Sequence, residues 1–150
     1  MRNILAAVVA LSLGVSVAQD APTPVNLGIL FDYTGALAEF GPGMENGARL
    51  AADQINSAAE AVLGGPVLEL VVEDGGTSPS VGVDRARKLV DTDGVVGIVG
   101  ALSSGVTVSV AESVTIPAEV TLMSPASTSP LITFLEDNDF LFRTVASDAT

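Results

Sequence analysis

Apolar residues in this chain come in short blocks separated by turns. Residues 25–31 (Val-Asn-Leu-Gly-Ile-Leu-Phe), 67–72 and 95–99 are runs rich in β-formers, each bounded by Gly, Pro, Asp or Asn, and each reads as a strand. Between them the spacing turns helical. From Met44 the apolar residues Met44, Ala48, Ala51 and Ile55 share one face and Glu45, Arg49 and Asp53 the other, which predicts a helix to about Asn56 with Pro42 in its first turn. Residues 57–66 then form a connection closed by the stop signal Gly64-Gly65-Pro66. A second helix is capped by Ser78, has Pro79 at its first position, and ends near Asp93-Gly94. Val83, Ala86, Leu89 and Val90 supply its inner face, while Arg85, Arg87 and Lys88 turn to water.

Residues 106–110 alternate like a strand, yet Val106, Val110, Ala111 and Val114 also share a helical face. A helix is the better reading, because another crossover is needed before the next strand, Thr121-Leu122-Met123. Pro117 ends it. One helical turn at 131–135 and a fifth strand at 140–145 complete the pattern. This alternation predicts an α/β fold: a parallel sheet with helices on both faces, Rossmann-like in its rhythm.

Composition agrees with that architecture. Apolar residues make up 48% of the 150-residue chain but aromatics only 4%, so Val, Ala, Leu and Gly must fill the core, as in a parallel sheet covered by helices. The first residues stand outside it. Met1-Arg2-Asn3 is a short basic lead, residues 4–15 are apolar, and Ser16-Val17-Ala18 places small side chains where a signal peptidase cuts. This predicts a signal peptide over residues 1–18, with residues 19–150 as the exported part. The apolar run is well short of the roughly 20 residues that span a bilayer, so no membrane insertion is expected after cleavage.

Charge and missing residue types exclude several functions. Eighteen acids against six basic residues give a net charge of −12, which repels nucleic acid and anionic lipid. With no Cys there is no disulfide framework, and with no His the commonest general base and metal ligand is gone. A serine hydrolase would need a base for Ser103 or Ser104, and the single Lys88 lies far upstream. Gly97-x-x-Gly100 lacks the Gly-Lys-Ser/Thr of a phosphate loop. Glu73, Asp74, Asp91 and Asp93 read as solvated loop edges. The chain is therefore read as a non-enzyme without cofactor or metal.

Three loops follow strands and should share one edge of the sheet: residues 32–41, 101–105 and 125–129. The first, Asp-Tyr-Thr-Gly-Ala-Leu-Ala-Glu-Phe-Gly, is long for a plain connection. The second opens a helix, so Ser104 and its neighbours offer amide N–H groups and a hydroxyl to a small anion such as a carboxylate. In the third, carbonyls near Ala126 and the Thr128 hydroxyl can accept from an ammonium group. Each loop alone fits simple capping and turn formation. Their convergence describes a zwitterion site.

The residues that carry a family likeness run through the whole chain after the leader. Val25-Asn26-Leu27-Gly28-Ile29-Leu30, Thr34-Gly35, Phe40-Gly41, Gly47-Ala48 and Ala51-Ala52-Asp53-Gln54-Ile55-Asn56 come first. Then come Val71-Val72-Glu73-Asp74, Arg87-Lys88-Leu89-Val90, Gly97-Ile98-Val99-Gly100 with Ser103-Ser104, Ser124-Pro125-Ala126-Ser127-Thr128-Ser129-Pro130, and Phe142-Arg143-Thr144-Val145 with Ser147-Asp148. In order and spacing these resemble the periplasmic branched-chain amino acid binding proteins of ABC transporters, of type I periplasmic binding protein fold. The resemblance implies that Ser104 holds a ligand carboxylate through its hydroxyl and amide, and that the Ala126 carbonyl and Thr128 hydroxyl hold the α-ammonium and part of the carboxylate. It implies that Phe40 borders the ligand side chain. Ser103 sits where related sequences vary, and Ser127 replaces a more usual Ala.

Related proteins have two α/β lobes that close on the ligand. The resemblance covers the N-terminal lobe only, so the expectation is a Leu/Ile/Val-type receptor lobe that binds weakly or not at all by itself, with a permease in the inner membrane as the partner. Within the same fold, an amide, urea or aromatic acid ligand, or a ligand-sensing role, remains the alternative.

Overall fold

The computed structural model describes residues 21–149, so the expected leader lies outside the described residues. Five strands form one parallel sheet: β1 (Val25–Phe31), β2 (Leu68–Asp74), β3 (Gly97–Gly100), β4 (Thr121–Ser124) and β5 (Leu141–Arg143). Their order is β2-β1-β3-β4-β5. The helices are α1 (Gly41–Leu63), α2 (Pro79–Arg87), α3 (Ser104–Val110) and the single turn α4 (Leu131–Phe134). Each of α2 and α3 runs on into a π-helical turn, Lys88–Thr92 and Ala111–Thr115.

The strand order follows from chain handedness. The chain leaves β1 in one direction to β2 and then steps back past β1 to β3, β4 and β5. Right-handed crossovers then require α1 on one face and α2 and α3 on the other. Burial bears this out. Leu30, Ile98, Leu122 and Leu141 point to the α2/α3 face and pack with Ala86, Leu89, Val106, Val110, Ala111, Val114 and Ile132. Ile29 and Phe31 point the other way, to Leu102, Met44 and Ala48. α/β with helices on both faces is thus the observed class.

Several boundaries moved, each for a local reason. The first helix continues past Asn56 to Leu63, because Ala58, Ala59, Glu60, Ala61 and Leu63 are good helix formers and only Gly64, at φ 78°, can take the left-handed cap. Its inner face is also rotated from the predicted one. Ala52 and Ala59 are buried, whereas Ala51 is exposed and Ile55 is 48% exposed. The third strand starts at Gly97 rather than Val95, since the amides of Val95 and Val96 bond to Leu89 and Asn26 carbonyls outside the β3 ladder. The fifth strand is three residues rather than six. The stretch 106–110, open between strand and helix on periodicity, is helix.

Candidate functional site

β1 is the strand from which the chain sets out both ways, so the carboxyl ends of β1 and β3 open a crevice where loops cannot pack against each other. Three loops border it, those after β1, β3 and β4. The loop after β1 is built as a rigid shelf. Asp74, at the end of β2, accepts from the amides of Tyr33 (2.9 Å), Thr34 (3.3 Å) and Gly76 (2.9 Å), and from the Thr34 hydroxyl (2.7 Å). Burial pulls the Asp74 carboxyl upward, but these hydrogen bonds from Thr34, Tyr33 and Gly76 outweigh it and hold the group below its ordinary value. Asp32 reciprocates: its fully buried carboxylate accepts from the Thr77 amide at 2.9 Å, and the Thr77 hydroxyl in turn accepts from Leu37 N at 3.1 Å. Asp74, read from sequence as a solvated loop edge, is therefore a clamp. Glu73 instead faces Lys88 (2.8 Å) and Arg85 (3.5 Å).

The shelf presents Leu37 and Phe40 toward the other two loops. With Met44, Leu102 and Ala126 they line an open, apolar cavity of about 230 Å³. Phe40 is 49% exposed at its mouth.

Beneath the cavity floor the loops after β3 and β4 are tied together by buried hydroxyls. The Ala101 carbonyl accepts from Ser124 Oγ (2.6 Å) and Thr107 Oγ1 (3.2 Å), with Ser127 Oγ at 3.4 Å. Ser127 and Thr107 hydroxyls lie 2.8 Å apart. Ser124 Oγ also accepts from the amides of Ala126 and Ser127. Ser127, which sequence left between a silent replacement and an extra hydroxyl at the site, points inward to this network.

On the rim stand Ser104 and Thr128. Ser104 begins α3, and its Oγ accepts from the Ser129 amide at 3.3 Å, so the loops after β3 and β4 meet next to Thr128. The Thr128 hydroxyl donates to Asp148 Oδ2 at 2.7 Å, and the Asp148 amide donates back to the Thr128 carbonyl at 2.9 Å. Ser103 precedes α3 as its N-cap; its carbonyl takes the Thr107 amide, and its side chain makes no capping bond. The structure thus gathers Ser104, Thr128, Ala126 and Phe40 at one edge. Among the described residues no cluster of three potential metal ligands occurs, and no helix is long and apolar enough to cross a membrane.

Asp148 escaped sequence reasoning as a site residue, because nothing in Ala146-Ser147-Asp148 marks it apart from turn chemistry. Asp32 and Asp74 escaped likewise, since most of their partners lie about forty residues away.

The chain has known relatives. Residues 24–150 match the model of the periplasmic binding protein family. The chain belongs to that family. An amino acid binding protein of Pseudomonas aeruginosa is 34% identical over 132 residues, covering 88% of this chain and 34% of the relative. A Leu/Ile/Val-binding protein of Rhizobium johnstonii is 34% identical over 113 residues, 75% of this chain and 30% of the relative. Among solved structures, the branched-chain amino acid transporter substrate binding protein LivJ of Streptococcus pneumoniae, in complex with isoleucine, superposes with a TM-score of 0.73 at 29% identity, covering 84% of this chain and 35% of that one. An ABC transporter substrate-binding protein of Desulfitobacterium hafniense, in complex with Leu, gives 0.72 at 26% identity, with 84% and 35% covered. The family is one of transport receptors rather than enzymes. This periplasmic binding protein chain spans about a third of the length of the relatives it matches.

Proposed function

We propose that the chain is the N-terminal lobe of an extracytoplasmic solute-binding receptor that holds a branched-chain or related amino acid and delivers it to an ABC transporter permease in the inner membrane. The observation that carries this reading is the pairing of a polar rim with an apolar hollow. Ser104 and Thr128 offer hydroxyls at one lip, and Leu37, Phe40, Met44, Leu102 and Ala126 shape a cavity of about 230 Å³ beside them. A zwitterionic head with an aliphatic tail fits that division: the head takes hydrogen bonds and the tail leaves water. The Ser104 hydroxyl and amide take the carboxylate, the Ala126 carbonyl and Thr128 hydroxyl take the ammonium, and Phe40 closes over the side chain. Ser103 stands beside Ser104 at the N-cap of α3. The relatives that bind Leu, Ile and Val support the choice of ligand class.

Export rests on the leader expected over residues 1–18, cut after Ala18; among the described residues no helix is long and apolar enough to cross a membrane. An amide-proton NMR titration with leucine, isoleucine and valine tests the site. Expected are saturable shifts at Ser104, Ala126, Thr128 and Phe40. Shifts confined to other residues, or none at any concentration for which the chain stays folded, overturn the reading.

A further inference from the structure

The apolar stripe that spacing assigns to the inner face of α1 keeps its period beyond the part the fold buries. Met44, Ala48, Ala51, Ile55, Ala58 and Val62 follow one another in alternating steps of four and three, the seam of a heptad. Met44 and Ala48 pack in the cluster that holds Leu102 and Ala126, but from Ala51 onward the seam faces water. Ala51 and Ala58 are exposed, Ile55 is 48% exposed and Val62 81%. At 3.6 residues per turn, the seam and its exposed neighbours Leu50 and Gln54 occupy about 140° of the helix surface without one charge. The charged residues of α1, Glu45, Arg49, Asp53 and Glu60, all lie on the flank toward β2, where Arg49 and Asp53 border Leu68, Glu69 and Leu70.

The uncharged flank looks the other way, along the open half of the sheet. Met123 and Phe142 are exposed there, with Val99 half-buried beside them, and this strip is also without charge. Helix flank and sheet strip form two walls of an apolar trough. Together they expose several hundred Å², the order of the ~800 Å² that each partner contributes to a standard interface.

Charge and shape decide the occupant. The chain carries a net charge of −12, yet any charged side chain laid against these two walls would lose its water and find no partner. The trough therefore takes an uncharged ridge, and α1 is such a ridge. A twofold axis along the strands sets two copies with their sheets facing and their α1 helices side by side and parallel between them. Each α1 then meets its mate along Ala51, Ile55, Ala58 and Val62, and lays Leu50 and Gln54 on the partner's Met123 and Phe142. Alanine at alternate seam positions admits a close approach, and β-branched Ile55 and Val62 at the others suit a parallel pair.

We propose that this face is an isologous interface and that its occupant is a second copy of this chain, paired α1 on α1 in parallel. The proposal is independent of the amino-acid reading, since it uses no residue of the rim. The axis keeps the strand direction, so both candidate sites open at the same end of the pair.

Sedimentation equilibrium of the exported chain, residues 19–150, tests it. Expected is a reversible monomer–dimer equilibrium between about 1 and 200 μM, weakened about tenfold or more by Val62→Glu. Leu131→Glu, at a 69% exposed apolar residue away from the trough, should leave the equilibrium unchanged. Both positions are on the surface, and circular dichroism with urea midpoints verifies that the variants fold. Orientation is read by cross-linking, since the chain has no Cys of its own. Ala51→Cys and Ala58→Cys should each form a disulfide dimer under mild oxidation, as only a parallel pair brings both positions next to their own copies, and Asp53→Cys should not. A chain that stays monomeric throughout, for which the trough belongs to some other partner, overturns the proposal. So does association that Val62→Glu leaves intact or that Leu131→Glu weakens equally, and so does cross-linking as fast through Asp53→Cys as through the seam.

Discussion

Single residues on this edge do their work through hydrogen bonds that are mostly hidden from solvent. Ser124 is the clearest case. Its hydroxyl gives to the Ala101 carbonyl and receives from the Ala126 and Ser127 amides, all at a fully buried position. Ser124→Ala should therefore cost about 1–3 kcal/mol, the penalty for leaving buried polar groups without partners, read as a lower urea midpoint. Ser127→Ala should cost less, about 0.5–1.5 kcal/mol, because the Thr107 hydroxyl keeps Ala101 as an acceptor. Reversal of that order would mean the Ser127–Thr107 pair, and not Ser124, holds the loops together.

Asp74 adds a pH dependence. Its carboxyl is lowered in the folded chain from an ordinary 3.8, so the charged form is the one the fold favours. Its contribution is present above the unfolded value and is lost as pH falls through the lower folded value. Urea midpoints measured from pH 6 down to pH 2 should drop less steeply in Asp74→Asn than in wild type. A variant curve parallel to that of wild type would show that the clamp contributes nothing in acid. None of these roles was legible beforehand: Ser, Thr and Asp in loops have the same composition whether they solvate an edge or tie two loops together.

At the scale of elements, legibility was high wherever period and punctuation agreed. Pro79 in the first turn of α2 and the strand-like run 25–31 were read correctly, since backbone chemistry acts over a few residues, whereas Gly64 was read as closing a connection and in fact caps α1, and Ser78 stands at the N-cap position without a side-chain capping bond. The predicted face of α1 held at Met44 and Ala48 but not at Ala51 and Ile55, and the reason was tertiary. Ala and Gly are so common there that several stripes compete, and the sheet chose the one with the smallest side chains. Close approach also governs the α2–α3 contact. An added Cβ on Gly82 would lie 2.4 Å from Val106 Cγ1. Ala is the better helix former by about 1 kcal/mol, but overpacking of this kind costs about 1–3 kcal/mol, so the clash should win and Gly82→Ala should unfold at lower temperature. Gly82→Ala with Val106→Ala should cost less than the two single losses added together, since the clash is gone in the double variant. Additive behaviour would place the contact elsewhere.

Taken whole, the molecule is a sheet covered unevenly. The α2/α3 face is closed, while α1 shields only the β1–β2 half of the other. Ile29, Val99, Met123 and Phe142 are register partners in one row across that face, and exposure climbs from 0% at Ile29 to 39% at Met123 and 44% at Phe142. The candidate site is open in the same way, with one wall and a half-exposed Phe40. Tight ligand sites bury 70–90% of the ligand surface, roughly, and one wall cannot. The 150-residue chain should therefore bind leucine no more tightly than about 1 mM by calorimetry or NMR. A micromolar constant would mean that this one lobe encloses its ligand unaided.

Sequence by itself determined the alternation of strands and helices, the parallel sheet, and the three loops destined for one edge. Those depend on periodicity, turn residues and crossover handedness, which act locally or through simple topological rules. Tertiary structure alone decided which stripe of α1 is buried, that Asp32 and Asp74 clamp the first loop, that Ser127 faces inward, and that Asp148 meets Thr128. Each of these is a contact between residues about twenty to forty-five positions apart, whose partners are fixed only when the strands align and bring their loop ends together.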